Sequence, residues 1–390
     1  MEHGKTSPTS ILDLAYQRAS QNLANSLVEN SDIRDDVEFV CRCSNLAGTR
    51  FLMACLTAKL SNPSFDIRKP YTEIGGEGIF SGRHYDEAYV APFAFKHKLP
   101  VNPTTSFLTP AFRTNKTIIE PGVSLIGRPK KLYDKIVDLI TTVYSGRISP
   151  ENLLAEIIRW LLIVRDERRQ RIETLFASLE TTKGDSALPA ESIVTLIQQH
   201  MRLPKSSRLP VLVVAAAYQA SQEYIEEQYL PLEGHNAADK QTGAFGDIQI
   251  VLNDDSNVVT VYEMKAKRVT REDIEIALQK LTSVAQNIEN YIFITTDLIE
   301  HDVKEYASTM HTRVGVEFVI LDCIAFLRHF LHFFYRIRTQ FLEAYQSLIL
   351  NEPDSAINPS LKEAFLAMRL ATENGIAQSG EITESNFEAE

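Results

Sequence analysis

The chain has 390 residues, 44% of them hydrophobic and 23% charged, with a formal net charge of −11. That length can bury one large core or two ordinary ones. No apolar run reaches the ~20 residues a membrane-spanning helix needs; the longest, Cys323 to Tyr335, is broken by Arg328, His329 and His332 and reads as a buried helix. The N-terminal MEHGKTSPTS carries charge and hydroxyls where a secretory signal carries an apolar stretch, so a cytoplasmic protein is expected. Cys41 and Cys43 form a CxC, but no Cys/His pair lies nearby at zinc-ligand spacing, and these, Cys55 and Cys323 read as reduced thiols. The acidic balance weighs against a broadly basic nucleic-acid surface but leaves room for a local basic cleft.

In chain order, residues from about 8 to 60 show apolar positions at helical spacing. From 62 to 130 prolines such as Pro63, Pro70, Pro92 and Pro110, with Gly75, Gly76, Gly78 and Gly82, break any long helix and predict fixed loops. Loops of this kind commonly carry recognition residues, which makes Arg83, His84 and Arg113 candidates for DNA contact or for bracing the loops. Helices resume from about 131 to 180, with Ser149 as a cap and Pro150 at the first helical position. Arg165, Arg168, Arg169 and Arg171 alternate with Asp166 and Glu167 and read as a solvated helix face.

A further helix ends near Met201, and residues 204–207 read as a linker. Then come a helix (about 209–229), strands at 244–252 and 258–265, and a helix at 271–287. A strand (291–296), a helix (300–310), a strand (315–321) and one long helix (323–350) complete the order. This predicts an α/β (α+β) fold: a mixed β-sheet flanked by helices, with a largely helical N-terminal region. The expected regions are 1–207 for recognition and dimerisation, 208–370 for the catalytic core, and 371–390 as an acidic disordered tail, since Thr372 to Glu390 holds five Glu and no Lys or Arg.

The segment GAFGDIQIVLNDDSNVVTVYEMKAKR carries the chemistry. Side chains alternate along a strand, so Glu263 and Lys265 share a face. The Asn253–Asn257 turn predicts a hairpin, which brings Asp247 to the same end of the sheet. Two carboxylates can hold Mg²⁺, whose Lewis acidity serves phosphodiester hydrolysis. A neighbouring lysine can handle the water or the developing charge. Asp247 and Glu263 are therefore candidate metal ligands, with the Met264 carbonyl as a further oxygen, and Lys265 is the candidate water-handling residue. The alternative is a solvated Glu-x-Lys ion pair.

Gly246-Asp247, fifteen residues, then Glu263-Met264-Lys265 resembles the PD-(D/E)xK signature of restriction endonuclease-like nucleases, with glycine where the name has proline. The resemblance covers about residues 208 to 322. HNAADKQTGAFGD is similar to what precedes the catalytic aspartate in several type II restriction enzymes. SGRHYDEAYVAPF followed by LTPAFR resembles the N-terminal half of SacI-type enzymes. The resemblance implies a restriction-endonuclease-like fold and Mg²⁺-dependent cleavage of double-stranded DNA at a short site. It also implies a homodimer and a cognate DNA methyltransferase in the same cell. A nuclease for repair or phage defence, or a non-catalytic binding module, are the alternatives.

The family often adds an acidic residue from the helix before the first strand. Of Glu223, Glu226 and Glu227, Glu226 borders the apolar face and is the candidate. Lys267 and Arg268, just past the site, are candidate phosphate contacts, as is Lys240 in the preceding loop. His235 and Asp239 in that loop read as capping, loop-ordering or DNA-contact residues.

Overall fold

The apolar spacing of the first 60 residues resolves, in a computed structural model, into three helices. The structure describes residues 7–113, 117–182, 187–232, 245–253, 257–282 and 288–387. Helix α1 (Pro8–Gln21) starts where the Ser7 hydroxyl accepts the Ser10 N–H at 3.2 Å. After α2 (Ser31–Arg42) comes α3 (Ala47–Ser61), buried on every side from Ala47 to Ala58. The proline-rich stretch forms short pieces: α4 (Gly82–Tyr85), a π-turn (Asp86–Val90) and α5 (Ala91–Lys96). These fold around a buried ion pair, Arg50 Nε to Asp86 Oδ1 at 2.6 Å, whose remaining oxygen accepts from Thr105 Oγ1 and the Ser106 N–H. Helix α6 (Lys130–Tyr144) and α7 (Pro150–Thr182) follow, the second with Ser149 Oγ accepting the Asn152 N–H as expected of its cap.

The chain divides into two compact units, Met1–Gln170 and Arg171–Glu390. The division falls inside α7, not at the 207/208 linker that the sequence pattern marks. Helix α8 (Ala190–Met201) accounts for the difference, because its buried face of Ile193, Val194, Leu196 and Ile197 belongs to the core of the second unit. The long carbon-rich helices do not reach membrane character: no helix among the described residues is long and apolar enough to cross a bilayer.

In the second unit, α9 (Leu209–Ser221) is buried from Leu209 to Ala217. The sequence predicts this helix to 229, but it stops at Ser221, whose hydroxyl turns back to the Ala217 carbonyl at 2.8 Å while its own carbonyl accepts the Tyr224 N–H. Glu227–Tyr229 instead form a short strand, β1, on the open edge of β2 (Ile248–Leu252). Then come β3 (Val258–Lys265), α10 (Arg271–Thr282), β4 (Asn290–Thr295), α11 (His301–Ser308), α12 (Met310–Val314) and β5 (Glu317–Asp322). Among the described residues the sheet has five strands in the order β1-β2-β3-β4-β5. The first three pair antiparallel, and β3, β4 and β5 run parallel. The mixed sheet flanked by helices is therefore present.

The strand period of two sorts side chains into two cores. Ile248, Ile250, Tyr262, Ile292 and Ile294 pack with α9 on one face. Val251, Val261, Tyr291, Phe293 and Phe318 pack with Ile274 and Ala277 of α10 on the other. The expected single helix over 323–350 is two, α13 (Cys323–Phe333) and α14 (Arg338–Asn351). Phe334 leaves the helical region at φ −100° and ψ 47°, and a 3₁₀ turn over Tyr335–Ile337 re-aims the chain so that both helices bury apolar faces. Helix α15 (Pro359–Phe387) runs through most of the stretch expected to be a disordered tail. Its Ala, Glu and Gln content favours helix, and a charge count alone does not register that preference.

Candidate active site

Strand β3 pairs antiparallel with β2, with Ile248 opposite Tyr262. Asp247 is the residue just ahead of the first paired position, at the end of the sheet where Glu263 and Lys265 lie. Asp247 Oδ2 accepts the Met264 N–H at 2.7 Å, which ties the start of β2 to the end of β3. The close approach depends on Gly246. A Cβ there would lie 2.6 Å from Val261 Cγ1 and 2.7 Å from the Tyr262 carbonyl oxygen. Any side chain would push this segment off β3 and carry Asp247 with it, which gives the glycine in this motif a steric reason.

Lys265 follows Glu263 by two residues, and its ammonium lies 2.7 Å from Glu263 Oε1. The other Glu263 oxygen accepts from the Tyr291 hydroxyl of β4 and lies 3.4 Å from Lys280 Nζ of α10. The Tyr291 hydroxyl is also 3.1 Å from the Phe245 carbonyl, just ahead of Gly246. A third carboxylate reaches in from α10: Asp273 Oδ1 lies 3.0 Å from Lys265 Nζ. Two carboxylates, Glu263 and Asp273, thus meet two ammonium groups, Lys265 and Lys280, on the α10 face of the sheet.

Burial alone would pull the Lys265 ammonium down. Its hydrogen bonds to Glu263 and then Asp273 outweigh that and hold its pKa above the ordinary lysine value. Lys265 therefore stands as a charged donor at neutral pH. Asp273 is raised by burial but more strongly lowered by its bonds to Thr270 and Lys265, and ends below the ordinary carboxylate range.

Among the described residues no group of three or more His, Cys, Asp or Glu is arranged to hold a metal. The donor set here is smaller: Asp247, tied to the Met264 N–H, and Glu263, both at the sheet's end. That is compatible with Mg²⁺, which keeps several waters and is commonly held by one or two carboxylates. It is not the donor set of a structural zinc site, which takes four Cys and His ligands in a closed shell. A cation at Glu263 would compete with the ammonium groups of Lys265 and Lys280 for the same oxygens.

Asp247, Glu263 and Lys265 are thus brought together, and Glu226 is not. It sits in the turn after α9, exposed, with its carbonyl accepting the Asn253 N–H at the far end of β2. Six residues of strand separate that point from Asp247, about 20 Å. Helical spacing suggested Glu226 because the helix was expected to continue past Ser221. Lys267 and Arg268 follow β3 directly and are exposed; Arg268 is paired with Glu300, whereas Lys267 has no carboxylate partner among the described residues. In the first unit Arg83, His84 and Arg113 are all exposed. Arg83 pairs with Glu87 at 2.7 Å, and His84 sits edge-on to Tyr85 and Tyr89. His235, Asp239 and Lys240 lie outside the described residues. Arg165 and Arg169 pair with Asp166, and Arg171 with Glu363; Arg169 and Arg171 are exposed, whereas Arg165 is half-buried and also donates to the His97 carbonyl at 3.0 Å. All four cysteines are free.

Local sequence pattern does not single out Asp273, Lys280 or Tyr291 as site residues. Thr270-x-x-Asp273 is a legible capping box, and Lys280 repeats the Asp273 face two turns later. Tyr291 left no signal beyond a polar atom in an apolar strand.

No family model matches this chain, and a search of curated proteins finds no match either.

Proposed function

We propose that this protein is a Mg²⁺-dependent deoxyribonuclease of the PD-(D/E)xK kind, acting as a type II-like restriction endonuclease on double-stranded DNA. The observation that carries the reading is the Asp247 carboxylate held on the Met264 N–H, between Glu263 and Lys265, with Lys265 on the same strand face 2.7 Å from Glu263. Asp247 and Glu263 would hold the cation. Bound there, Mg²⁺ supplies Lewis acidity toward a phosphoryl oxygen and a more acidic water. Lys265, charged and partly buried, donates to the attacking water or to the phosphate oxygen on which charge develops. Asp247 keeps its orientation through the Met264 N–H, and Tyr291 keeps that of Glu263. Lys267 and Arg268 follow Lys265 in sequence and are exposed, and would meet the phosphate backbone. Cleavage of both strands at a palindromic site suits a twofold-symmetric homodimer, and in the cell a methyltransferase would protect host DNA.

A second reading takes Glu263 as the hub of a structural ion-pair network, and its three partners favour it: Lys265, Lys280 and Tyr291. Plasmid and phage DNA incubated with Mg²⁺ separate the possibilities. Discrete fragments abolished by Asp247→Ala and Lys265→Ala support the restriction enzyme. A smear with the same dependence supports a nuclease without strict specificity. No metal-dependent cleavage leaves the structural network.

A further inference from the structure

The Asp273 carboxylate does two things at once. Its Oδ2 accepts from the Thr270 N–H at 2.9 Å and from Thr270 Oγ1 at 2.7 Å, while the Asp273 N–H reaches Thr270 Oγ1 at 3.3 Å. This reciprocal box closes the first turn of α10. The other oxygen, Oδ1, is left facing Lys265 Nζ at 3.0 Å. With one oxygen committed to the box, the carboxylate cannot turn without breaking it. Lys265 has a flexible four-carbon stem and a charge that points wherever its partners are. Here it lies between Glu263 on its own strand and Asp273 on the helix.

We propose that Asp273 is the positioning residue for Lys265: the carboxylate that caps α10 also holds the lysine ammonium in place when Glu263 turns to a cation. The inference rests on the nuclease reading of this site. A metal at Glu263 competes for the oxygen that Lys265 now uses. Asp273 is tied to the helix and not to the metal ligands, so it keeps its hold. A cap alone would make Thr270 and Asp273 equivalent, and the tether separates them. Asp273→Asn keeps a carbonyl oxygen for the Thr270 N–H but replaces the acceptor facing Lys265 with an amide or a neutral oxygen. Thr270→Ala removes the hydroxyl of the box and leaves the carboxylate on the lysine.

The test uses the full-length protein on supercoiled plasmid with Mg²⁺, with kcat and KM measured for each variant. Asp273→Asn is expected to lower kcat by about a hundredfold, the loss that a small misplacement of a reacting group brings, with KM within about twofold. Thr270→Ala is expected to lower the melting temperature and leave kcat near wild type. A second readout needs neither metal nor activity. In protein carrying ¹³C-labelled lysine, the Lys265 Cε resonance, identified by its loss in Lys265→Ala, should move in Asp273→Asn and stay in Thr270→Ala. Wild-type protein that cleaves no DNA with Mg²⁺ overturns the nuclease reading and this inference with it. Active wild type with Asp273→Asn at wild-type kcat, an unmoved Lys265 resonance, or equal kcat losses in the two variants overturns this inference alone.

Discussion

Asp247 Oδ2 accepts the Met264 N–H at 2.7 Å, which fixes its carboxylate beside the backbone between Glu263 and Lys265. The hydrogen bond needs only an acceptor, whereas a cation needs the charge. Asp247→Asn should therefore fold normally, with unfolding free energy within about 1 kcal/mol of wild type. Its Mg²⁺ affinity should fall by more than the roughly 10- to 100-fold that loss of an outer-shell partner costs. Titration calorimetry with Mg²⁺ on both proteins checks this, and equal affinities would remove Asp247 from the metal site.

Gly246 lets Asp247 come so close. A Cβ at 2.7 Å from the Tyr262 carbonyl oxygen meets backbone that cannot step aside. Gly246→Ala should destabilise by about 1–3 kcal/mol, the usual range for overpacking. Cleavage should fall as well, since the displaced segment carries Asp247. Denaturant unfolding paired with an activity assay reads both, and an alanine variant with wild-type stability would contradict the steric account.

The second unit should lose stability in mild acid through His200. Burial lowers its pKa to about 4, against a weaker opposing effect of its bond to the Leu361 carbonyl at 3.0 Å. The unfolded chain takes up this proton near pH ~6.5, the folded chain only near 4. Between those values the unfolded state binds more protons. The stabilisation is therefore complete above the unfolded pKa and is lost as pH falls toward the folded one, by a total on the order of 3 kcal/mol. Melting temperatures from pH 7 down to 4 should fall less steeply in His200→Gln than in wild type. Parallel curves would show that other groups carry the acid sensitivity.

In the first unit, Asp86→Ala strands the Arg50 guanidinium, which is 4% exposed. Removing one partner of a buried pair commonly costs about 3–5 kcal/mol. The loop over 102–106 should loosen with it, because Arg50 Nη1 also holds the Asn102 carbonyl at 2.8 Å and Asp86 accepts the Ser106 N–H. Faster hydrogen exchange at Ser106 in the variant is the expected outcome, and unchanged protection there would show that the loop is held by other contacts.

Much of the second unit could be read in advance. The pattern predicts the strand Val258–Lys265 over the same residues, and β2, β4, β5 and the start of α10 within a few. Long apolar runs of period two leave little choice. Strand β1 is not legible because three residues at an edge show no alternation, and a helix continued through it gives Glu226 a helical face that the chain does not form. The break at Phe334 is hidden for a related reason: CIAFLRHFLHFFYRIRTQFLEAY is apolar enough at helical spacing to continue, and it is the packing of both segments into one core that turns the chain.

The sequence by itself determined that Glu263 and Lys265 share a face, because strand period is a property of the backbone. It also placed Asp247 at the same sheet end, because a short turn allows only a hairpin. Tertiary structure alone decided what surrounds them. Asp273 and Lys280 reach the pair because the β3–α10–β4 crossover lays α10 over that face, and Tyr291 reaches Glu263 because β4 runs parallel beside β3. Those contacts join residues of different elements, and local periodicity carries no information on which elements will meet.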